Sequence, residues 1–457
     1  MAETTSPHLE IHERQPSNSL VIEGGIPLHG SHELQGAKNL ALQLTAIALL
    51  ADGPVTLNNV PNIRDVQTNI DIINGLGGEA SFRSGKRLII DAANISSSNV
   101  NARRALESTG SRYYIPALVR RNGYMTTGPS GGDDIGGGDR YQLSDKTLEL
   151  YRAMGIGGRK ISDSNGIEVF EFVGIPGDHE LKQANRYFGP TMQALIAFAK
   201  NEHGDTMRVI NPSIEPEVTE TVRMLRAMGA DIHYSQKGRE VGEDYFEIRG
   251  EDRLSGVEFD VMSDPNEMVT YAAAAIATNG DLEITNVDYS QKTEVFFDIL
   301  RKMNVIYEYD YKNKKLELYP SRDHLKPVNL AADFWPAVCH TDWQQLLTPV
   351  LAMANGESIV SDKVYPSRFT SVDALTHMGA DLTVINPQVI KINGSRGFQF
   401  SHGELNLPHD VRGASSVLIA ALAANGRSVI HGVDQISRGL EDAPGSLRKL
   451  GAHIQEL

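Results

Sequence analysis

The sequence predicts an α/β protein of two lobes, each assembled from three copies of one βαβαββ module. Three observations predict it. A helix-like stretch ending in Leu or Met, then Gly, then a strand-like run, recurs at Leu76-Gly77, Met154-Gly155, Met228-Gly229, Met378-Gly379 and Leu450-Gly451. Met303-Asn304 completes the series, and successive members lie 72 to 78 residues apart. Gly and Asn both tolerate the left-handed conformation that caps a helix, so Asn304 can replace Gly. A second landmark shares that period: an apolar helix ends in Gly before a short alternating strand. Gly53 precedes VTLNNV, Gly280 precedes LEITNV and Gly426 precedes SVIHGV, with Gly123, Gly204 and Gly356 completing six. Finally, 457 residues exceed what one ordinary core accommodates. A solenoid is the rival architecture, but its repeats run to roughly 20–45 residues, well short of this unit.

Composition narrows the function classes. Hydrophobic residues at 40% and charged residues at 22% describe a soluble globular chain. No apolar run approaches the roughly 20 residues needed to span a bilayer, and Met1 to Leu20 carries no signal-peptide core. The single cysteine, Cys339, cannot form an internal disulfide, which fits a reducing, cytoplasmic setting. A net charge of −15 without dense Lys or Arg runs argues against nucleic acid or an anionic membrane as partner. Anionic small molecules remain compatible, provided the few basic groups converge in one cleft.

The repeat shows where they could converge. The first helix of each module begins 11 to 16 residues before its capping Gly, and the six starts are Lys38-Asn39, Arg112, Gly189-Pro190, Asp264-Pro265, Thr341-Asp342 and Asp410-Val411-Arg412. Main-chain N–H groups at helix starts attract anions. If the modules pack around pseudo-symmetry, these starts point into a common cleft. Lys38 and Arg412 are cations against the positive end of a helix, a broken local rule that suggests function. Asp264 is explained by capping alone, because Asp-Pro-Asn-Glu is a strong helix start. The early-helix position of Asp342 would hold it ionised, the state a general base needs. Cys339 reads as a small buried hydrophobe, since nothing near it in sequence would activate a thiol.

Several segments carry a resemblance to a known family. Gly36-Ala37-Lys38-Asn39 opens an apolar helix, and Gly128-Pro-Ser-Gly-Gly-Asp133-Asp134-Ile-Gly-Gly-Gly-Asp139-Arg140 packs six glycines into one loop. Val364-Tyr-Pro-Ser-Arg368-Phe, Asp410-Val-Arg412-Gly-Ala and Ser437-Arg438-Gly439 follow in repeats five and six. Together, from about Leu20 to Leu457, they resemble the enolpyruvyl transferases of the UDP-N-acetylglucosamine 1-carboxyvinyltransferase kind. The GAKN start sets the chain apart from the related shikimate-pathway synthases, which begin this helix with a Ser-Lys-Ser pattern. The glycine-rich loop resembles that family's mobile Gly-Gly-Cys-x-Ile-Gly loop, with Asp133 at the cysteine position. A calcium loop is the alternative reading of its aspartates, but the spacing lacks the EF-hand pattern and terminal Glu. Other departures are Ser437 in place of Asp, a displaced Arg112, and Tyr187-Phe188-Gly189-Pro190 in place of a Ser-Val-Gly segment that contacts nucleotide phosphates.

The resemblance implies a two-lobed inside-out α/β barrel, with a first lobe at 38–262, a mobile loop at about 124–140, and a second lobe formed by 1–37 plus 263–457. It implies transfer of the enolpyruvyl group of phosphoenolpyruvate to the 3-hydroxyl of UDP-N-acetylglucosamine, the committed step of peptidoglycan precursor synthesis, with neither metal nor organic cofactor. Lys38, Arg140 and Arg438 would hold phosphate, and Arg368 and Arg412 the carboxylate. Asn39 and Asp410 would orient acceptor and cations, and Arg112 and Asp264 would be further substrate-binding residues. Asp342 would be the base towards the sugar hydroxyl and Asp133 the acid, if closure desolvates it and raises its pKa. With Asp instead of Cys on the loop, the enzyme is expected to resist fosfomycin, an epoxide that alkylates the family's loop thiolate. The oligomeric state stays open between a monomer and a weak homo-oligomer. The alternatives are another nucleotide acceptor in a natural-product pathway, a non-catalytic nucleotide-sugar sensor, and an RNA 3′-phosphate cyclase built from related modules.

Overall fold

The structure, a computed structural model, describes residues 19–133, 145–162, 168–236, 244–334 and 339–457. Among the described residues the strands form six four-stranded sheets of one design. In the second sheet the spatial order is Asn99–Val100, Tyr124–Thr127, Glu168–Gly174, Ile156–Ser162, with the first pair parallel and the others antiparallel. The other five sheets repeat this pattern, each a βαβαββ module. The Leu/Met-Gly landmark caps the second helix of every module: Gly77, Gly155, Gly229, Gly379 and Gly451 all have positive φ, and Asn304 joins them at φ 60°. The second landmark holds less uniformly. Gly123, Gly204, Gly356 and Gly426 are left-handed, whereas in the fourth module Asn279 takes that conformation instead of Gly280.

Hydrophobicity all round a helix demands burial on every side, and it decides which helix of each module goes inside. In Pro265–Thr278 and Val411–Ala423 every residue is buried, and in Lys38–Ile47 all but Asn39. The second helices, such as Arg64–Gly75 and Gln291–Lys302, are amphipathic and leave a polar face in water. Sheets therefore lie outside and apolar helices inside, which is the inside-out arrangement. The buried residues divide into two cores, one drawn from residues 37–261 and the other from 20–34 with 268–454.

Three sheets borrow strands from distant parts of the chain. Glu258–Asp260 pairs in parallel with Val55–Asn58 in the first sheet. His29–Glu33 pairs in parallel with Asp281–Thr285 in the fourth. Leu20–Glu23 lies inside the sixth, between Arg427–His431 and His453–Glu456. The chain thus crosses between the cores twice, and the crossings bond to each other: Ala37 N donates to Met262 O at 2.7 Å and Asp264 N to Gln35 O at 2.9 Å. Gly36 is required here, because a Cβ would sit 1.8 Å from the carbonyl oxygen of Asn59.

The segment 124–140, expected as one loop, begins as structure. Tyr124–Thr127 is a central strand of the second sheet, so the loop starts at Gly128. Residues 134–140, including Arg140, lie outside the described residues.

Ile22, fully buried on the borrowed strand, tests whether the N-terminal segment belongs to the second core. Ile22→Ala should cost about 2–5 kcal/mol, read by urea unfolding through Trp343 in the same core. Glu23→Ala, on the exposed face, should stay within about 0.5 kcal/mol. Equal effects from the two would contradict the pairing.

Candidate active site

Two adjoining cavities lie between the cores. The inner one, about 150 Å³, is lined by Lys38, Asn39, Arg112, Asp133, Asp342, Arg368 and Arg412, among others. The outer one, about 340 Å³, shares Asn39, Arg112, Phe188, Gly189, Asp342 and Tyr365 with it, and adds Arg186, Tyr187, Glu215, Glu217, Lys292, Phe334 and His340. Five of the six module-helix starts predicted to converge therefore do.

Asp264, at the sixth start, lines neither cavity. Its Oδ1 accepts from Asn266 N at 2.7 Å and Glu267 N at 3.3 Å, capping its own helix. Its Oδ2 accepts from Lys38 N at 3.0 Å and so caps the helix of the opposite core as well. Both oxygens are occupied by main chain, which gives Asp264 a structural role.

The cations that break the helix-dipole rule are compensated. Lys38 Nζ lies 2.8 Å from Asp65 Oδ2, a carboxylate with no exposed surface. Arg438, from the second core, donates to both Asp65 oxygens, Nε at 3.1 Å and Nη2 at 3.3 Å, and its Nη1 donates to Asp133 Oδ1 at 2.6 Å. Arg368 Nη1 donates to Asp342 Oδ1 at 2.7 Å and its Nε to Asp410 Oδ2 at 3.3 Å. Arg412 Nη2 reaches Asp342 Oδ2 at 3.4 Å. Asp410 caps the helix Val411–Ala423 through Arg412 N at 3.0 Å and accepts from Gln345 Nε2 at 2.5 Å. The residue before Arg368, Ser367, has φ 68°, a strained conformation that tightens the turn presenting the guanidinium.

Asp133 arrives on its loop by close backbone packing. Gly131 N donates to Ala105 O at 2.9 Å. A Cβ on Gly131 would lie 1.7 Å from Leu106 O, and one on Gly132 (φ 128°) 1.8 Å from Thr109 Cγ2. Two glycines thus let the loop lie flat on the segment 105–109, and Asp133 reaches Arg438 and the N–H of Val411 at 3.3 Å. Its protonation departs from expectation. Burial pushes its carboxyl upward, but Arg438, Lys38, Arg368 and Arg412 together outweigh burial and hold it below the usual carboxylate range. Desolvation in the closed loop does not raise it, because four cations are buried alongside.

Asp342 is ionised, as expected, though for a different reason. It lies in the turn before Gln344–Ala352 rather than in the helix. Burial opposes its charge, and Arg368, Arg412 and His340 override burial to hold it well below the ordinary value. Burial pushes the Cys339 thiol up, and Cys339 lines neither of these cavities.

Asp65 was missed in the sequence, where Arg64-Asp65 reads as an ordinary acidic first turn. So was a cluster in the outer cavity. Lys292 Nζ lies 2.9 Å from Glu215 Oε2 and 2.7 Å from Glu217 Oε1, and His340 Nε2 lies 3.3 Å from Glu215 Oε2. Tyr187 meets Phe334 edge to face across the cleft, 4.9 Å between ring centroids. Two residues in three-residue charged spacing, Glu215-Pro216-Glu217, were the available signal.

The depressed Asp342 carboxyl predicts acid sensitivity. Its folded value lies below the unfolded one, so its stabilisation is complete above about pH 4 and is lost as pH falls from there through the folded value. Urea unfolding at pH 5, 4 and 3 should show wild-type stability dropping below pH 4. Asp342→Asn should be less stable at neutral pH, with a shallower acid slope; an unchanged slope would remove Asp342 from the account.

Residues 191–447 match the family described as EPSP synthase (3-phosphoshikimate 1-carboxyvinyltransferase). Curated relatives include the UDP-N-acetylglucosamine 1-carboxyvinyltransferase of Kosmotoga olearia, 31% identical over 440 residues that cover 96% of this chain and 99% of that protein. That of Borreliella burgdorferi is 30% identical over the same shares of both chains. The crystal structure of the enolpyruvyl transferase NikO from Streptomyces tendae superposes with a TM-score of 0.83 at 25% identity, covering 96% of this chain and 99% of that one. EPSP synthase from Acinetobacter baumannii, at 17% identity, 96% and 100% coverage and a TM-score of 0.72, shares the fold. With six sheets around buried helices, and a cation-rich cleft between the cores, this chain belongs to the UDP-N-acetylglucosamine 1-carboxyvinyltransferase family and is an enolpyruvyl transferase.

Proposed function

We propose that the chain transfers the enolpyruvyl group of phosphoenolpyruvate to the 3-hydroxyl of UDP-N-acetylglucosamine and releases inorganic phosphate. The observation that carries the reading is the inner cavity, where Lys38, Arg112, Arg368 and Arg412, with Arg438 beside them, surround two carboxylates contributed by opposite cores. Phosphate and carboxylate are the ligands such cations suit.

The chemistry then balances as follows. A proton adds to the vinyl CH₂ of phosphoenolpyruvate, leaving an oxocarbenium-like carbon. The sugar hydroxyl attacks that carbon and gives up its proton, forming a tetrahedral ketal. The ketal loses a methyl proton and phosphate, with C–O cleavage, to give the enol ether. Asp342 is the base at the hydroxyl and Asp133 the acid. Two negatively charged groups of the substrate offset the cations that keep Asp133 ionised, so its affinity for a proton rises when phosphoenolpyruvate binds. Lys38, Arg438 and Arg140 take the phosphate; Arg368 and Arg412 take the carboxylate. Asn39 and Arg112, which line both cavities, face the acceptor.

A second reading keeps this chemistry and changes the acceptor to another nucleotide. It is favoured by the outer cavity, where Arg186 and Lys292 are bound to Asp244 and to Glu215 and Glu217, and where, by the resemblance, Tyr187-Phe188-Gly189-Pro190 stands in place of a Ser-Val-Gly segment that contacts nucleotide phosphates.

Phosphate release from phosphoenolpyruvate, with and without UDP-N-acetylglucosamine, tests the reading. Release should depend on the sugar nucleotide and fall about 10²- to 10⁴-fold in Asp133→Asn and Asp342→Asn. Release with plain uridine nucleotides but not with the sugar would move the reading to the second acceptor. Release that neither substitution slows would remove both acid–base assignments. Fosfomycin should give no time-dependent loss of activity, because a carboxylate is a poor nucleophile towards an epoxide and the one thiol is buried. An adduct mass on Asp133 would overturn that expectation.

A further inference from the structure

The outer cavity contains a group whose hydrogen bonding is incomplete. Glu217 is 1% exposed and lines that cavity, at the start of the helix Pro216–Met228. Its Oε1 accepts from Lys292 Nζ at 2.7 Å, while its Oε2 is buried without a hydrogen-bond partner. A buried carboxylate oxygen left without a donor is destabilising, so its retention beside a cavity calls for an explanation.

The neighbouring charges define what is missing. Lys292 crosses from the second core and is shared between Glu215 and Glu217 of the first. Those two carboxylates keep its ammonium charged against burial, so the lysine cannot act as an acceptor. Glu215 has a second neighbour in His340, and Glu217 has none on its other oxygen. The group that completes the cluster must therefore donate a hydrogen bond, and the cavity that Glu217 lines is where a bound molecule would bring one. An anion is excluded from that spot, since it would meet a carboxylate oxygen.

We infer that Glu217 Oε2 is a specificity determinant that accepts a hydrogen bond from a hydroxyl or amide N–H of the acceptor molecule. This rests on the enolpyruvyl-acceptor reading of the cleft and adds to it which chemical group of the acceptor is read, and by which atom. Lys292 is its positioning partner. Because the lysine belongs to the opposite core, the carboxylate is aimed correctly only when the two cores stand together.

The test uses Glu217→Gln. The glutamine carbonyl stays on the Lys292 ammonium, which puts an NH₂ donor where Oε2 stood and sets donor against donor. Calorimetric binding of UDP-N-acetylglucosamine and of UMP, in the presence of inorganic phosphate, should weaken about 10- to 100-fold for the ligand that wild type binds. Binding of phosphate alone, at the inner cavity, should not change. Glu217→Asp, which keeps the charge but withdraws the oxygen, should give a similar loss and guards against a folding defect in the glutamine variant. Acceptor affinity equal to wild type in both variants would overturn the inference. So would wild-type enzyme that binds neither ligand. Wild type that binds one of them without turnover sinks the acceptor reading, and the Glu217 assignment is then decided by the affinity ratio alone.

Discussion

The pairing of Arg438 with carboxylates of the opposite core is the interaction on which the site depends. An isolated guanidinium at that depth would be strongly penalised, because removing a charge from water is offset only by close partners with good geometry. Asp65 and Asp133 supply them from the first core, and Asp65 also holds Lys38. One buried carboxylate thereby fixes the spacing of two cations that come from different halves of the protein. The same construction recurs at Asp342, which joins Arg368 to Arg412. Without these carboxylates, five cations around a cavity of about 150 Å³ would repel one another and splay apart.

This arrangement has a chemical consequence. The carboxylates that keep the cations together are themselves kept ionised by them, in Asp133 and Asp342 alike. An anionic substrate competes for the same guanidinium hydrogens, so binding it loosens the hold on both aspartates. Proton affinity then becomes a property of the loaded site rather than of either residue. In the proposed mechanism this moves Asp133 in the direction an acid needs, and release from Arg368 strengthens Asp342 as a base. Loop glycines matter for the same reason, because only the close packing of Gly131 and Gly132 brings Asp133 within reach of Arg438.

Much of the architecture was legible because the repeat rests on backbone constraints. A left-handed helix cap admits Gly or Asn and little else, so Gly77, Gly155, Gly229, Asn304, Gly379 and Gly451 mark the period independently of side-chain packing. The convergence of helix starts was legible too, since symmetry places equivalent positions at equivalent points. Asp65 was not, because a carboxylate in a first helical turn already has a local explanation, and only the three-dimensional neighbours Lys38 and Arg438 give it another. The proton state of Asp133 was misjudged for a related reason. Burial is predictable from a closing glycine loop, but the sign of a pKa shift depends on which charges are buried together. Lys292 lay unmarked in an amphipathic helix whose other lysine, Lys302, is an ordinary surface cation.

Asp264 connects the crossing between the cores to the chemistry. The chain crosses between cores at 35–37 and at 262–264, and these crossings are hydrogen-bonded into a short two-stranded link. Asp264 caps its own helix and, through Lys38 N, the helix that begins at Lys38. Lys38 and the helix start at Asp264 are thereby fixed relative to each other, and Arg438 is tied to the same crossing, because Gln35 Nε2 donates to Gly439 O at 2.9 Å and Gln35 Oε1 accepts from Glu441 N at 3.1 Å. One cation from each core is thus held on Asp65 beside the crossing, so the phosphate-sized arrangement depends on the link between the cores and belongs to neither core alone.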